Sequence, residues 1–324
     1  MAKTLAVVLS GGGAKGAFQV GALEELVVRR GVTFKIWAGV STGAIQALGG
    51  AMDDVPGLVA HWRSIASNKD IYTENASILG GLLGADSLHD TKPLQARLKG
   101  FADEAKLRAT GNTLLLGVVN LQTGGFRTVD QRASNIADWV YASCAMPVFF
   151  KPLKTRDPAN GQEDQWVDGG VRDVTPLKAA MDARPDAILV IRASAPPANA
   201  RKDVLYKNLI KVGLRATAIQ QSEVSKNDIE NAELINALIA ARASQAKALA
   251  TSGLGQAEID KVLKPLDKTL ADYRIVPVRV LEPTEDFADT LEFSKAAIAK
   301  SIEAGAKAAA KAWETGGLKA FLGG

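Results

Sequence analysis

Residues 4–9 form a short apolar run closed by glycine, and residues 17–30 then carry apolar side chains at Val20, Leu23, Leu26 and Val27. That spacing is one face of a helix, so the pattern predicts strand, turn, helix. The unit repeats at once: residues 34–38 read as a strand and residues 42–51 as a helix of small residues. Buried-type strands are further predicted at residues 114–119, 187–191 and 273–280, and helices at 134–145, 176–183 and 289–313. Strands alternating with helices imply an α/β fold of three layers, a mainly parallel central sheet with helices on both faces.

Residues 201–270 break the alternation, being almost wholly helix-forming with no strand candidate. The expectation is a single domain over residues 4–316, with 197–272 as a helical insertion between two strands of the same sheet. In the helix predicted at 289–313, Leu291, Ile298, Ile302 and Ala309 fall on one stripe with Gly305, while Lys300, Lys307 and Lys311 face the other way. The expected role of the stripe is packing on the sheet. The alternative is peripheral contact with an anionic membrane surface.

Composition changes the picture mainly by exclusion. With 324 residues, 47% of them hydrophobic, the chain can bury a large core, so disorder is excluded. Lys and Arg number 39 against 35 Asp and Glu, a formal charge of +4 with no long basic block, which is no footprint for nucleic acid. The single cysteine, Cys144, excludes an intramolecular disulfide and a cysteine-based metal cluster, and suits a reducing, cytoplasmic setting. The first apolar run spans about five residues, short of the ~7 to 15 of a signal peptide core. No stretch approaches the ~20 apolar residues of a membrane span, so a soluble or membrane-surface protein is expected.

Three glycines stand between the first strand and its helix. Gly11, Gly13 and Gly16 make a G-x-G-x-x-G in the context of a dinucleotide site, but that site wants an acidic residue about 20 positions on, at the end of the second strand. The segment from Phe34 to Ala44 supplies none, and Gly16 is followed by Ala17 and Phe18 where a phosphate loop of the Walker type needs Lys and Ser or Thr. A nucleotide-binding module therefore stays only as an alternative.

The second strand instead ends in Gly39-Val40-Ser41-Thr42-Gly43. A serine on a sharp strand-to-helix turn is lifted above the sheet edge, and the flanking glycines remove side-chain clashes. Adjacent parallel strands deliver their following loops to one edge, so the Gly11, Gly12 and Gly13 amides can face an oxygen attacked by Ser41, as an oxyanion hole. Serine needs a base, and the chain has only His61 and His89. Neither follows Asp168, so the order serine, acid, histidine is excluded, and each histidine is read as a surface or packing residue. Asp168, ending a short strand before Gly169 and Gly170, is the base candidate; as an isolated turn it would be only a hairpin signal. The pairs Asp53 with Asp54 and Asp103 with Glu104 are read as solvated helix or turn residues.

The segments Gly11 to Gly16, Gly39 to Gly43 and Asp168 to Gly170, in this order, resemble the three signatures of patatin-like phospholipases. Residues 142–152, ASCAMPVFFKP, resemble a fourth block of that family. The resemblance covers roughly residues 4–195 and is weak beyond. It implies a lipid acyl hydrolase of the phospholipase, lysophospholipase or esterase type, acting on a lipid or acyl-ester substrate without metal or organic cofactor. Ser41 would be the nucleophile, Asp168 the base of a Ser-Asp dyad, and the Gly11 to Gly13 amides the oxyanion hole. Lys15, Gly16, Gly39, Gly43, Gly169 and Gly170 match supporting positions of the motifs; Lys15 is read either as a lipid-phosphate ligand or as a structural contact at a helix start. Ser10 departs from the aspartate common in plant members and fits the bacterial-type branch. An acyltransferase with the same dyad is the nearest alternative, and a catalytically silent lipid-binding protein a third.

Overall fold

The computed structural model describes residues 3–74, 86–156, 161–196 and 205–323. In chain order the elements are β1 (Leu5–Leu9), α1 (Ala17–Leu23), β2 (Ile36–Val40), α2 (Thr42–Ala51), α3 (Val55–Arg63), β3 (Thr73–Glu74), β4 (His89–Asp90), α4 (Lys92–Phe101), α5 (Glu104–Ala109), β5 (Thr113–Asn120) and β6 (Phe126–Asp130). They continue with α6 (Ile136–Cys144), β7 (Leu153–Arg156), β8 (Glu163–Asp168), α7 (Leu177–Asp182), β9 (Ala187–Ile191), α8 (Leu209–Thr251), α9 (Gln256–Leu270), β10 (Val278–Leu281), α10 (Lys295–Glu314) and α11 (Leu318–Leu322).

The main sheet runs β10-β9-β1-β2-β5-β8-β7, with β6 also paired to β5. Its first five strands are parallel, and β6, β7 and β8 are antiparallel to their neighbours. Alternation along β1 explains the layers. Leu5, Val7 and Leu9 join the core beneath α1, α2 and α10, while Ala6 and Val8 join a second core with Leu177 of α7 and Ile229 and Ala232 of α8. A strand fully buried on both faces reads as a continuous apolar run, which is why β1 and β9 were visible in the sequence.

Two boundaries differ from the expectation for local reasons. The final helix starts at Lys295, not 289, because the Ser294 side chain accepts the Ala297 amide and caps it there. The last strand begins at Val278, not 273, because both backbone groups of Val276 bond the Asn236 amide of α8 at 2.7 and 3.0 Å. The beginning of the expected insertion, residues 197–204, lies outside the described residues; α8 and α9 stand between β9 and β10, which pair in parallel. The apolar stripe of α10 is buried against α1, where Gly21 and Gly305 let the two helix backbones touch. Those residues are therefore unavailable for the membrane contact weighed above. Among the described residues no helix is long and apolar enough to cross a membrane.

Candidate active site

The pairings of β5 bring the two motif residues together. Gly117 pairs with Val40 of β2 on one edge and with Thr128 of β6 on the other. Val118 pairs with Asp168 of β8 and with Arg127 of β6. Since β6 occupies one edge throughout, β2 and β8 share the opposite edge and run toward each other, their C-terminal ends meeting at Gly117 and Val118. Ser41, one residue past Val40, and Asp168 consequently lie side by side. The expectation placed Asp168 at the end of another strand of the sheet; it is an antiparallel strand, and the meeting is end to end.

Ser41 sits at φ 57° and ψ −128°, a strained conformation for a residue with a side chain. Its position is held from below. The Ser41 amide donates to Ser143 Oγ at 2.9 Å, Ser143 Oγ donates to the Gly117 carbonyl at 2.7 Å, and the Cys144 thiol donates to the Ser41 carbonyl at 3.1 Å. At Gly43, a side chain would collide with the Leu9 carbonyl of β1, so glycine is what lets α2 start this close to the sheet. Ser41 starts α2, whose positive end favours charge on the hydroxyl.

Asp168 is 2% exposed. Burial pushes its carboxyl up to about 6, against hydrogen bonds from the Ser41 hydroxyl and the Gly170 amide that favour the anion. The Gly170 amide donates to Asp168 Oδ1 at 2.7 Å, which fixes the carboxyl group beside the serine. A carboxylate kept poorly solvated and poised near neutrality has the proton affinity that a base needs.

One of the three glycine amides is engaged within the fold. Gly11 donates its N–H to the Val174 carbonyl at 3.0 Å, so the expectation that it serves an oxyanion is corrected. The amides of Gly12 and Gly13 have no hydrogen-bond partner among the described residues. Gly13 has φ +60°, and it lines the same cavity as Ser41 and Asp168. Lys15 takes the structural alternative: its Nζ lies 2.8 Å from Asp286 Oδ2, and both side chains are buried. Its charge is thus committed within the protein.

The two histidines are engaged elsewhere than with the dyad. His61 also lines the cavity, its ring 5.2 Å from that of Phe101, and burial followed by the charge of Arg97 lowers its pKa to about 4. His89 packs among Tyr72, Phe149 and Phe150. Neither has a hydrogen bond to Ser41 or Asp168 among the described residues. Asp54 and Asp103 cap α3 and α5, and Asp53 and Glu104 hold Asn112 and the Ile136 amide.

Sequence reasoning missed three contributors. Ser143 lies within residues 142–152 but as one small residue among several. Gln221 reaches the cavity from α8, some fifty residues beyond Asp168, with no local signal. Arg97, on α4, also lines it. The cavity holds about 60 Å³ and is otherwise bounded mainly by apolar side chains such as Ile45, Ile71, Leu94 and Phe293.

A family model described as patatin-like phospholipase matches residues 7–181. The uncharacterized protein YjjU of Escherichia coli (strain K12) is 25% identical over 190 residues, which are 58% of this chain and 51% of YjjU. The chain thus spans about half the length of the curated relative it matches. Among solved structures, VipD from Legionella pneumophila aligns over 96% of this chain and 66% of its own, with a TM-score of 0.45 and 15% identity. Human GIVD cytosolic phospholipase A2 aligns over 60% and 43%, with a TM-score of 0.34 and 11% identity.

Proposed function

The chain belongs to the patatin-like phospholipase family, a family of lipid hydrolases, and from that premise we propose that it cleaves acyl esters of lipids with Ser41 as nucleophile and Asp168 as its base. Asp168 takes the hydroxyl proton as Ser41 Oγ attacks the ester carbonyl. The Gly12 and Gly13 amides receive the oxyanion, each such donor being worth ~3 to 4 kcal/mol in a site of this kind. The proton passes to the departing alcohol, leaving an acyl-enzyme. Asp168 then takes a proton from water, whose oxygen attacks the acyl carbon, and Ser41 leaves with that proton.

The observation that carries the reading is the end-to-end meeting of β2 and β8, which sets a strained serine beside a buried carboxylate of raised pKa. The test is Ser41→Ala, assayed on a panel of short and long acyl esters and phospholipids. Hydrolysis is expected to fall by at least ~10³-fold and fluorophosphonate labelling to disappear, with the thermal unfolding curve retained. Labelling that persists at another serine overturns the assignment.

A further inference from the structure

Arg97 is the feature of the cavity that ester hydrolysis by the dyad does not use. It projects from α4 into a pocket otherwise lined mainly by apolar side chains. Its Nη2 donates to the His61 carbonyl and to Ser64 Oγ, both at 2.7 Å, so the guanidinium is held in place by neutral groups. Its Nε–H is buried without an acceptor. No carboxylate pairs with it among the described residues. Asp70 is the carboxylate whose field it feels, but Asp70 Oδ2 is engaged by the Ala66 and Ser67 amides at 2.8 and 3.0 Å. His61, next to it, is kept neutral by burial and by the Arg97 charge itself, so the guanidinium is the cation of this part of the cavity.

A half-buried cation without an anion is unfavourable, and an orphaned N–H adds to the cost. An apolar wall would have been served better by leucine. We propose that Arg97 is an anion subsite of the substrate pocket, binding an oxyanion carried by the acyl ester itself. The proposal rests on the ester-hydrolase reading and deepens it: the favoured substrates are acidic lipids, not neutral esters. Two sources share this chemistry, the phosphate of a lysophospholipid head group and a carboxylate at the far end of the acyl chain. Because the cavity holds only about 60 Å³, substrate entry displaces the apolar side chains around it, and the Arg97 Nε–H acquires its acceptor in that rearrangement. A guanidinium forms charge-assisted hydrogen bonds about twice as strong as neutral ones, so the anion should be discriminated clearly.

The experiment measures binding on the Ser41→Ala protein, where turnover plays no part, below the critical micelle concentration of each ligand. The ligands share one acyl length: a lysophosphatidate, the neutral monoacylglycerol, and the monomethyl ester of the corresponding dicarboxylic acid. At least one acidic ligand is expected to bind tenfold or more tightly than the monoacylglycerol, and which one does so identifies the source. Adding Arg97→Gln should bring that ligand to within about threefold of the neutral one, while Arg97→Lys retains most of the preference. Equal binding of acidic and neutral ligands overturns the proposal, as does a parallel loss of both in Arg97→Gln, which would mean packing alone. If Arg97→Gln does not fold, the ratio in the Ser41→Ala parent and in Arg97→Lys still decides. Failure of the hydrolase reading is seen separately, as absent labelling of Ser41 in the unmutated protein.

Discussion

At the scale of single residues, Asp168 is asked to be two things at once, buried and charged. Burial raises its pKa to about 6, so the folded protein holds its proton more firmly than the unfolded chain does. Its contribution to stability is therefore complete below the unfolded value near 4 and is lost as pH rises through about 6. Asp168→Asn removes that penalty while removing the proton acceptor. Hydrolysis by the variant should fall ~10² to 10⁴-fold, and its stability to denaturant at pH 8 should rise on the order of 2 kcal/mol, with little gain at pH 4. A folded variant with activity within a few-fold of the parent excludes Asp168 as base. Much of this was legible in the sequence, because Gly39 to Gly43 and Asp168 to Gly170 are local turns whose residue types announce their geometry. The engagement of Gly11 with Val174 was not legible: which amide of a glycine run stays free depends on a loop more than a hundred and fifty residues away.

At the scale of elements, the apolar runs β1, β2, β5 and β9 declared themselves, whereas β6 and β7 are short and polar and carry no buried periodicity. The direction of β8 is likewise silent in sequence, since a short strand reads the same whether its neighbour runs with it or against it. The docking of α8 also depends on a distant partner. Its Asp228 shares a hydrogen bond with Asp173 in the loop after Asp168, and Ser225 Oγ lies 2.6 Å from Thr175 Oγ1. Burial and then the charge of Asp173 push Asp228 up to about 7, and Asp173 is raised as well. Two carboxyl groups in one hydrogen bond need a shared proton, so this contact stabilises the fold at low pH and weakens as pH rises through about 7. Asp228→Asn supplies a permanent donor to Asp173. It should stabilise the protein by roughly 1 to 2 kcal/mol at pH 8 and leave it nearly unchanged at pH 5, as read by denaturant unfolding. Equal destabilisation at both pH values contradicts the shared proton.

At the scale of the whole molecule, the fold brings the ends of several strands to one point. Parallel strands β1 and β2 deliver the glycine turn and the serine elbow, antiparallel β8 delivers the carboxylate from the opposite direction, and α6 braces the elbow through Ser143. On the other face of the sheet, α8 buries Ser225, Ile229 and Ala232, and its Gln221 reaches the cavity. The histidines fall outside this convergence, which is the feature that separates the site from a histidine triad. An acid limb near pH 6 in kcat/KM is expected from Asp168, whereas burial lowers both imidazoles, His61 to about 4. The decisive measurement is therefore the pH profile of kcat/KM for the parent and for the folded double variant His61→Gln with His89→Gln. The account predicts an acid limb with an apparent pKa of about 6 in both proteins, even if the change at His61 alters KM. If the limb vanishes in the double variant, or hydrolysis is lost as completely as in Ser41→Ala, an imidazole is the base and the Ser41–Asp168 dyad is wrong.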